Sequence, residues 1–189
     1  LAGSRGSVVV LDVNNGDVVA LVSEPSYDPN DFTPSISQEK YSALLADEGK
    51  PFFNRAIRGT YAPGSTFKPL VGLTALVNNV IDDVYEHNCP GYFQLGRKRI
   101  RCWNTYGHGN LALREAIEQS CNTYFCWLGL EVGYDKIYHM ADSLGFGKKT
   151  GIALPYESSG LLPNDSWKRR RFNQGWRAGD TANISIGQG

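Results

Sequence analysis

Pro63-Gly64-Ser65-Thr66-Phe67-Lys68-Pro69-Leu70-Val71-Gly72-Leu73-Thr74-Ala75-Leu76-Val77-Asn78 is the stretch on which the reading of this chain turns. After the Tyr61-Ala62-Pro63-Gly64 turn, Ser65 to about Asn78 reads as a helix whose Phe67, Leu70, Val71, Leu73, Ala75, Leu76 and Val77 are apolar nearly all round. A surface helix keeps one polar face, so this one is expected inside a core. Pro69 falls in or near the first turn, where its missing N–H costs least. Ser65 and Lys68 then share one face of the helix start. A serine hydroxyl is a weak nucleophile until a neighbouring base takes its proton, and a lysine desolvated by burial can have its pKa lowered enough to do so. The helix N-terminus adds a positive dipole and free N–H groups for a developing oxyanion. Ser-x-x-Lys is also what a serine N-cap with an exposed lysine looks like. Here the helix is too apolar to let Lys68 reach water easily, which favours the chemical reading.

Working outward, Val8-Val9-Val10-Leu11-Asp12 and Val18-Val19-Ala20-Leu21-Val22 flank Asn14-Asn15-Gly16-Asp17. Two β-branched runs around Asn-Gly predict a hairpin, and their nearly continuous apolarity predicts a sheet covered on both faces. Glu24 to Asp31 is a Pro/Asx-rich loop, and Gln38 to Glu48 is expected as a helix. Beyond the central helix, Tyr92-Phe93-Gln94-Leu95, the turn Gly96-Arg97-Lys98 and Arg99-Ile100-Arg101-Cys102 suggest a small hairpin. Leu113 to Val132 is expected as one helix and Tyr134 to Leu144 as another, with a loop-rich remainder.

The chain has 189 residues with 19 basic and 19 acidic side chains, so nothing in its balance argues for a nucleic-acid partner. Lys168-Arg169-Arg170-Arg171 reads as a solvated loop or helix face. No run approaches the roughly 18 apolar residues of a membrane span, and the opening residues lack the apolar region of a signal peptide. Both ends read as cut, leaving targeting signals to lie outside the chain.

Ser120-Cys121-Asn122 lies about fifty residues after Lys68. It offers a hydroxyl able to relay a proton, and an amide able to hold a substrate carbonyl or fix the lysine. Ser-x-x-Lys followed by Ser-x-Asn is the order found in penicillin-binding proteins and class A β-lactamases, where a Lys-Thr-Gly strand follows. With these motifs, the opening hairpin, Pro25-Ser26-Tyr27-Asp28-Pro29-Asn30, Asn54-Arg55-Ala56, Gly107-His108-Gly109, Gly145-Phe146-Gly147, Trp167-Lys168 and Gly179 to Gly189 extend the match over nearly the whole chain. It resembles a class B penicillin-binding protein transpeptidase domain, closer to the elongation, or rod-shape, branch than to the division-specific one.

The resemblance implies an α/β fold of the serine β-lactamase/transpeptidase type, an antiparallel sheet packed with helices. Residues 1–30 would be the opening hairpin, and 31–189 a mostly helical region with a hairpin insert at 89–103; the C-terminal strands would be missing. It implies peptidoglycan D,D-transpeptidation through a serine acyl-enzyme, with Ser65 as nucleophile, Lys68 as general base, Ser120 as proton relay and Asn122 contacting substrate or Lys68. The implied partners are D-Ala-D-Ala stem peptides with an amine acceptor, β-lactams, a membrane-embedded SEDS-type glycosyltransferase and other elongation-complex proteins. The implied location is the periplasmic face of the bacterial inner membrane, with the anchor outside this chain. Lys149-Thr150-Gly151 spells the third motif but follows Gly145-Phe146-Gly147, where the family has a loop, and is therefore rejected as that motif. Several elongation-type relatives carry Asp at the position of Asn122.

The four cysteines are Cys89, Cys102, Cys121 and Cys126. Three thiolates and one imidazole, from Cys89, Cys102, Cys121 and His108, would complete a closed tetrahedral zinc site. The Cys89 to Cys102 segment is also too short and polar to hold itself together without a staple. The resemblance adds that elongation-type relatives carry zinc in this region, with ligands aligned to these four positions. A Cys89–Cys102 disulfide and free buried thiols stand as alternatives. Cys126 is assigned to the core, and His87 and His139 to the surface or to caps.

Overall fold

Asp12 closes the first turn by accepting from the backbone and side chain of Asn14, and Gly16 adopts a positive φ of 80°. Strands β1 (Gly6–Leu11) and β2 (Val18–Glu24) consequently pair antiparallel in the register Val8↔Val22 and Val10↔Ala20, with an irregularity at Val10/Leu11. The computed structural model describes residues 3–188; Leu1, Ala2 and Gly189, the last closing the Ile186-to-Gly189 segment, lie outside them. The described residues fall into two compact units. No helix among them is long and apolar enough to cross a membrane.

One unit comprises residues 3–60 and 149–159 and holds the hairpin, α1 (Gln38–Ala46) and α2 (Arg55–Arg58). Ser37 caps α1 through the Lys40 N–H, and Asn54 caps α2 through the Ala56 N–H. The Arg55 guanidinium is buried and donates to the carbonyls of Gly49, Lys50 and Phe53. Ser23 of β2 accepts from the Arg55 N–H at 2.9 Å, so Asn54-Arg55-Ala56 organises the backbone beside the hairpin. The expected cover on both hairpin faces is not found among the described residues: Val8, Val9, Val10, Leu11, Val18, Val19 and Val22 are exposed by 40–68%. Apolar continuity in a strand does not by itself supply the layer that would cover it.

The other unit comprises residues 61–148 and 160–188. It contains α3 (Lys68–Val77), the strand pairs β3 (His87–Cys89) with β6 (Gly109–Leu111) and β4 (Tyr92–Leu95) with β5 (Lys98–Arg101), and then α4 (Leu113–Glu118), α5 (Asn122–Val132), α6 (Tyr134–Ser143), α7 (Asp165–Phe172) and α8 (Ala178–Ile184). Its core is built on Val71, Ala75, Tyr124, Phe125, Leu128, Ile137 and Ala182, each 0% exposed. Helix α3 is buried on one face only, through Leu70, Val71, Thr74 and Ala75, whereas Leu73, Leu76 and Val77, expected inside the core, are exposed by 45, 37 and 63%. Helix α5 approaches α8 so closely that a Cβ on Gly129 would lie 1.7 Å from Ser185 Oγ, which is why a glycine stands there.

Three details depart from the sequence expectations. The helix expected over Leu113 to Val132 is interrupted at Gln119–Cys121, where Ser120 takes a left-handed φ of 49° and Cys121 caps α5 through the Tyr124 N–H. His87 is half-buried, not on the surface, because its ring stacks on Trp127 at 4.2 Å. The loop-rich remainder contains α7 and α8, with Lys168 paired to Asp180 between them.

Candidate functional site: a Ser-Lys-Ser-Asn cluster beside a cysteine-histidine cluster

Ser65 sits in a 3₁₀ turn, Gly64–Phe67, that leads directly into α3. In a 3₁₀ turn residues three apart eclipse one another, which aligns Ser65 with Lys68 more closely than an α-turn would. Phe67 anchors the turn, 3% exposed and packed edge-on to Phe146 at 5.6 Å, while Ser65 stays open to solvent. Pro69 occupies the first turn of α3, as expected.

Lys68 is 1% exposed. Its Nζ makes three contacts, to Ser120 O at 2.7 Å, Ser120 Oγ at 3.0 Å and Asn122 Oδ1 at 2.8 Å. The Ser120 and Ser65 hydroxyl oxygens are 2.8 Å apart. The carbonyl and amide oxygens can only accept, so they take two N–H bonds. A neutral amine has two N–H groups and one lone pair, and the lone pair is then left facing the Ser120 hydroxyl. Burial lowers the Lys68 pKa and favours that neutral form, and the neighbouring Cys121, Cys102 and Cys126 oppose this only to the extent that they ionise. Ser65 reaches Lys68 through Ser120.

The left-handed backbone at Ser120 is what breaks the helix and turns its hydroxyl toward Ser65. A non-glycine residue held there costs on the order of 1–3 kcal/mol and persists only where the surroundings enforce it. Two hydrogen bonds with Lys68 and the cap at Cys121 supply that enforcement. The Asn122 amide donates to the Arg101 carbonyl at 3.3 Å, which turns its Oδ1 toward Lys68. An aspartate here would set a second oxygen against the Arg101 carbonyl, so asparagine suits this geometry. Nothing in the sequence pointed to Arg101, whose contribution is a backbone atom.

A second unforeseen contact supports the Ser65 turn. The Gly64 N–H donates to Gly187 O at 2.9 Å, and Gly187 has a positive φ of 68°. A Cβ on Gly187 would lie 2.1 Å from Gly64 O. Gly187→Ala is therefore expected to cost about 2–4 kcal/mol, from left-handed strain and overpacking together. Urea unfolding measures this, and a change under roughly 0.5 kcal/mol, the ordinary surface value, would contradict the contact.

Cys89, Cys102, His108 and Cys121 are brought together, with one ligand atom from each lying within 4.8 Å of the others. Cys102 Sγ is 4.0 Å from Cys121 Sγ and 3.7 Å from His108 Nδ1. A tetrahedron with Zn–S near 2.3 Å and Zn–N near 2.0–2.1 Å has edges of about 3.8 and 3.6 Å. All four cysteines are free and buried. Burial would raise the Cys89 thiol, but the Thr123 hydroxyl, the N–H groups of Gly91 and His108 and the His108 ring outweigh it and bring it down to about 6. Burial pushes Cys121 up strongly. Adjacent buried thiols cannot all ionise unless a cation joins them, and the Cys102 Sγ to His108 Nδ1 separation matches the S–N edge. The donor set thus fits a tetrahedral thiophilic ion. Cys126 stands outside, its Sγ donating to Ala182 O, and burial raises it to about 12. Lys149-Thr150-Gly151 forms a loop in which the Thr150 N–H and hydroxyl both donate to Glu157, and it is not a strand.

The family model of the penicillin binding protein transpeptidase domain matches residues 6–189. The chain is 45% identical to peptidoglycan D,D-transpeptidase MrdA of Escherichia coli and 42% to that of Acinetobacter baumannii, across 100% of this chain and 30% and 28% of those proteins. It spans less than a third of the length of these relatives. Among solved structures it resembles Pseudomonas aeruginosa PBP2 in complex with WCK 5153, with TM-score 0.92 and 41% identity over 100% of this chain and 43% of that one. Helicobacter pylori PBP2 gives TM-score 0.94 and 40% identity over 100% of this chain and 36% of that one. The Ser65–Ser120–Lys68 contacts and a match that runs from the first strand to the last residue lead to one assignment: the chain belongs to the penicillin binding protein transpeptidase domain family, in its PBP2 branch.

Proposed function

We propose that these residues form the acylating part of a peptidoglycan D,D-transpeptidase site serving cell elongation. The single observation that carries this is the continuous path from the exposed Ser65 hydroxyl through Ser120 to a buried Lys68. Ser65 Oγ attacks the carbonyl between the terminal D-alanines of a stem peptide, its proton passing to Ser120 Oγ while the Ser120 proton passes to Lys68. The C–N bond breaks, and the departing D-alanine amine takes a proton back along the same route. An amine of a second stem peptide then attacks the ester, which forms the crosslink and restores Ser65. Asn122 holds Lys68 in place and presents its amide at the edge of the site.

The test is a labelled penicillin applied to the full chain, with the adduct mapped by mass spectrometry. Slowly released label on Ser65 supports the transpeptidase reading. Rapid release points to a carboxypeptidase or β-lactamase, in which water replaces the acceptor amine. No label points to a scaffold.

The cysteine-histidine cluster supports a structural zinc held by Cys89, Cys102, His108 and Cys121, which would tie the β4–β5 region to the residue between Ser120 and Asn122. The proposed setting is the periplasmic face of the inner membrane, beside a membrane-embedded SEDS-type glycosyltransferase and other elongation proteins. A structure of Helicobacter pylori PBP2 with MreC, 40% identical to this chain, supports that setting, as does a 35% identical chain from a peptidoglycan synthase complex.

A further inference from the structure

Charge in this chain balances globally but not locally. Residues 87–114 contain Arg97, Lys98, Arg99, Arg101 and Arg114 and not one Asp or Glu. Among the described residues none of these five cations forms an ion pair; the four ion pairs all lie elsewhere. Four of the five stand on the β4–β5 hairpin or its turn.

The hairpin's two faces differ. Phe93, Leu95 and Ile100 pack against the core. The register Tyr92↔Arg101 and Gln94↔Arg99 puts those four residues together on the opposite, outer face. Arg99 is held there, its guanidinium 4.5 Å over the Tyr92 ring and its Nε donating to Gln94 Oε1 at 3.0 Å. That leaves its two terminal nitrogens as a free, oriented fork. Arg101 follows about 7 Å further along, at the usual rise of about 3.4 Å per residue. Its backbone carbonyl accepts from Asn122, so this end of the strand is joined to the Ser120–Asn122 segment. A pair of unsatisfied arginines, one prepositioned on an aromatic ring, is suited to carboxylates, which the guanidinium fork binds in a bidentate manner.

We propose that the outer face of the β4–β5 hairpin is a carboxylate subsite, in which Arg99 and Arg101 bind the free carboxylates of an acidic stem peptide whose D-Ala-D-Ala end lies at Ser65. The inference rests on the acyl-transfer reading and adds to it the part of the substrate that is gripped away from the scissile bond. Such remote contacts orient a flexible peptide and supply the binding energy that productive positioning requires. An acidic protein surface would satisfy the same charges, but the tie between Arg101 and Asn122 favours a ligand that also occupies the site.

The experiment uses fluorescence anisotropy with a fluorescein-labelled stem pentapeptide, either with its internal carboxylates free or with them amidated. Binding is measured to the full chain carrying Ser65→Ala, with and without Arg99→Gln and Arg101→Gln. The expected result is about tenfold or tighter binding of the free-acid peptide to the parent. In the double arginine variant the preference falls to within about twofold, and the amidated peptide binds both proteins equally. A preference that survives the double variant, or no preference in the parent, overturns the proposal. So does an equal loss for both peptides, which would mean that the arginines act on the fold. Penicillin labelling of the chain with Ser65 intact reports separately on acyl transfer: absence of label sinks that reading, while the anisotropy result still decides whether the hairpin binds peptide carboxylates.

Discussion

Lys68→Met lowers the rate at which a labelled penicillin acylates Ser65 by about 10²–10⁴-fold, the usual contribution of a positioned general base. Methionine is close to lysine in length and tolerates an apolar, irregular site, so the buried position of the side chain in the core is kept. What disappears is the lone pair facing Ser120 and the two N–H bonds to Ser120 O and Asn122 Oδ1. Each acceptor left unpaired in a buried place costs about 1–3 kcal/mol, so thermal unfolding should accompany the kinetics to show that the variant is folded. The pH profile separates chemistry from damage. The neutral amine is the active form, so acylation by the parent rises with pH and levels off once Lys68 has lost its proton. Burial lowers the Lys68 pKa despite the opposing pull of Cys121, Cys102 and Cys126, so the plateau is reached below the ordinary lysine value of about 10.4. In Lys68→Met that rise is absent. A variant within about threefold of the parent, or one with the same rising limb, would assign the base to another group.

Zinc is expected at one ion per chain by elemental analysis, and Cys102→Ser or His108→Ala is expected to lose it, whereas Cys126→Ser keeps it. If free zinc stands a thousandfold above its dissociation constant, the ion stabilises the folded chain by about 4 kcal/mol. For a chain of this size that corresponds to a fall of about 8–16 °C in Tm on chelation. The effect should extend to acylation, because Cys121 stands between Ser120 and Asn122, the two residues that hold Lys68. Full zinc retained in Cys102→Ser would refute the four-ligand site. An unchanged penicillin rate after complete chelation would refute its role in positioning Ser120.

The parts legible beforehand were those written in adjacent residues. The Asn14-Asn15-Gly16-Asp17 turn, the α3 helix and the tolerated Pro69 each follow from local stereochemistry, but apolarity all round α3 overstated its burial, since Leu73, Leu76 and Val77 are exposed. The interruption at Ser120 was not legible, because the apolar periodicity of Leu113 to Leu128 runs on across it. What breaks the helix there is a set of bonds to Lys68, fifty-two residues away in sequence. For Lys168 to Arg171 the sequence left loop and helix face open, and α7 was undecided for a different reason. It is polar almost all round and buries no residue, so its evidence is an Asn164 cap and ion pairs, not a hydrophobic stripe.

Sequence by itself determined the chemistry available: which side chains could act as nucleophile, base, relay and metal ligand, and that one of them lay at the head of a strongly apolar helix. Only the tertiary structure decided that Ser65 meets Lys68 through Ser120, that Asn122 is oriented by a backbone carbonyl at Arg101, and that three cysteines converge with His108 while the fourth does not. The physical reason is one of range. Turn types, helix starts and apolar faces depend on neighbours a few residues apart. Burial, pKa and hydrogen-bond direction depend on groups that only close packing brings within 3–4 Å.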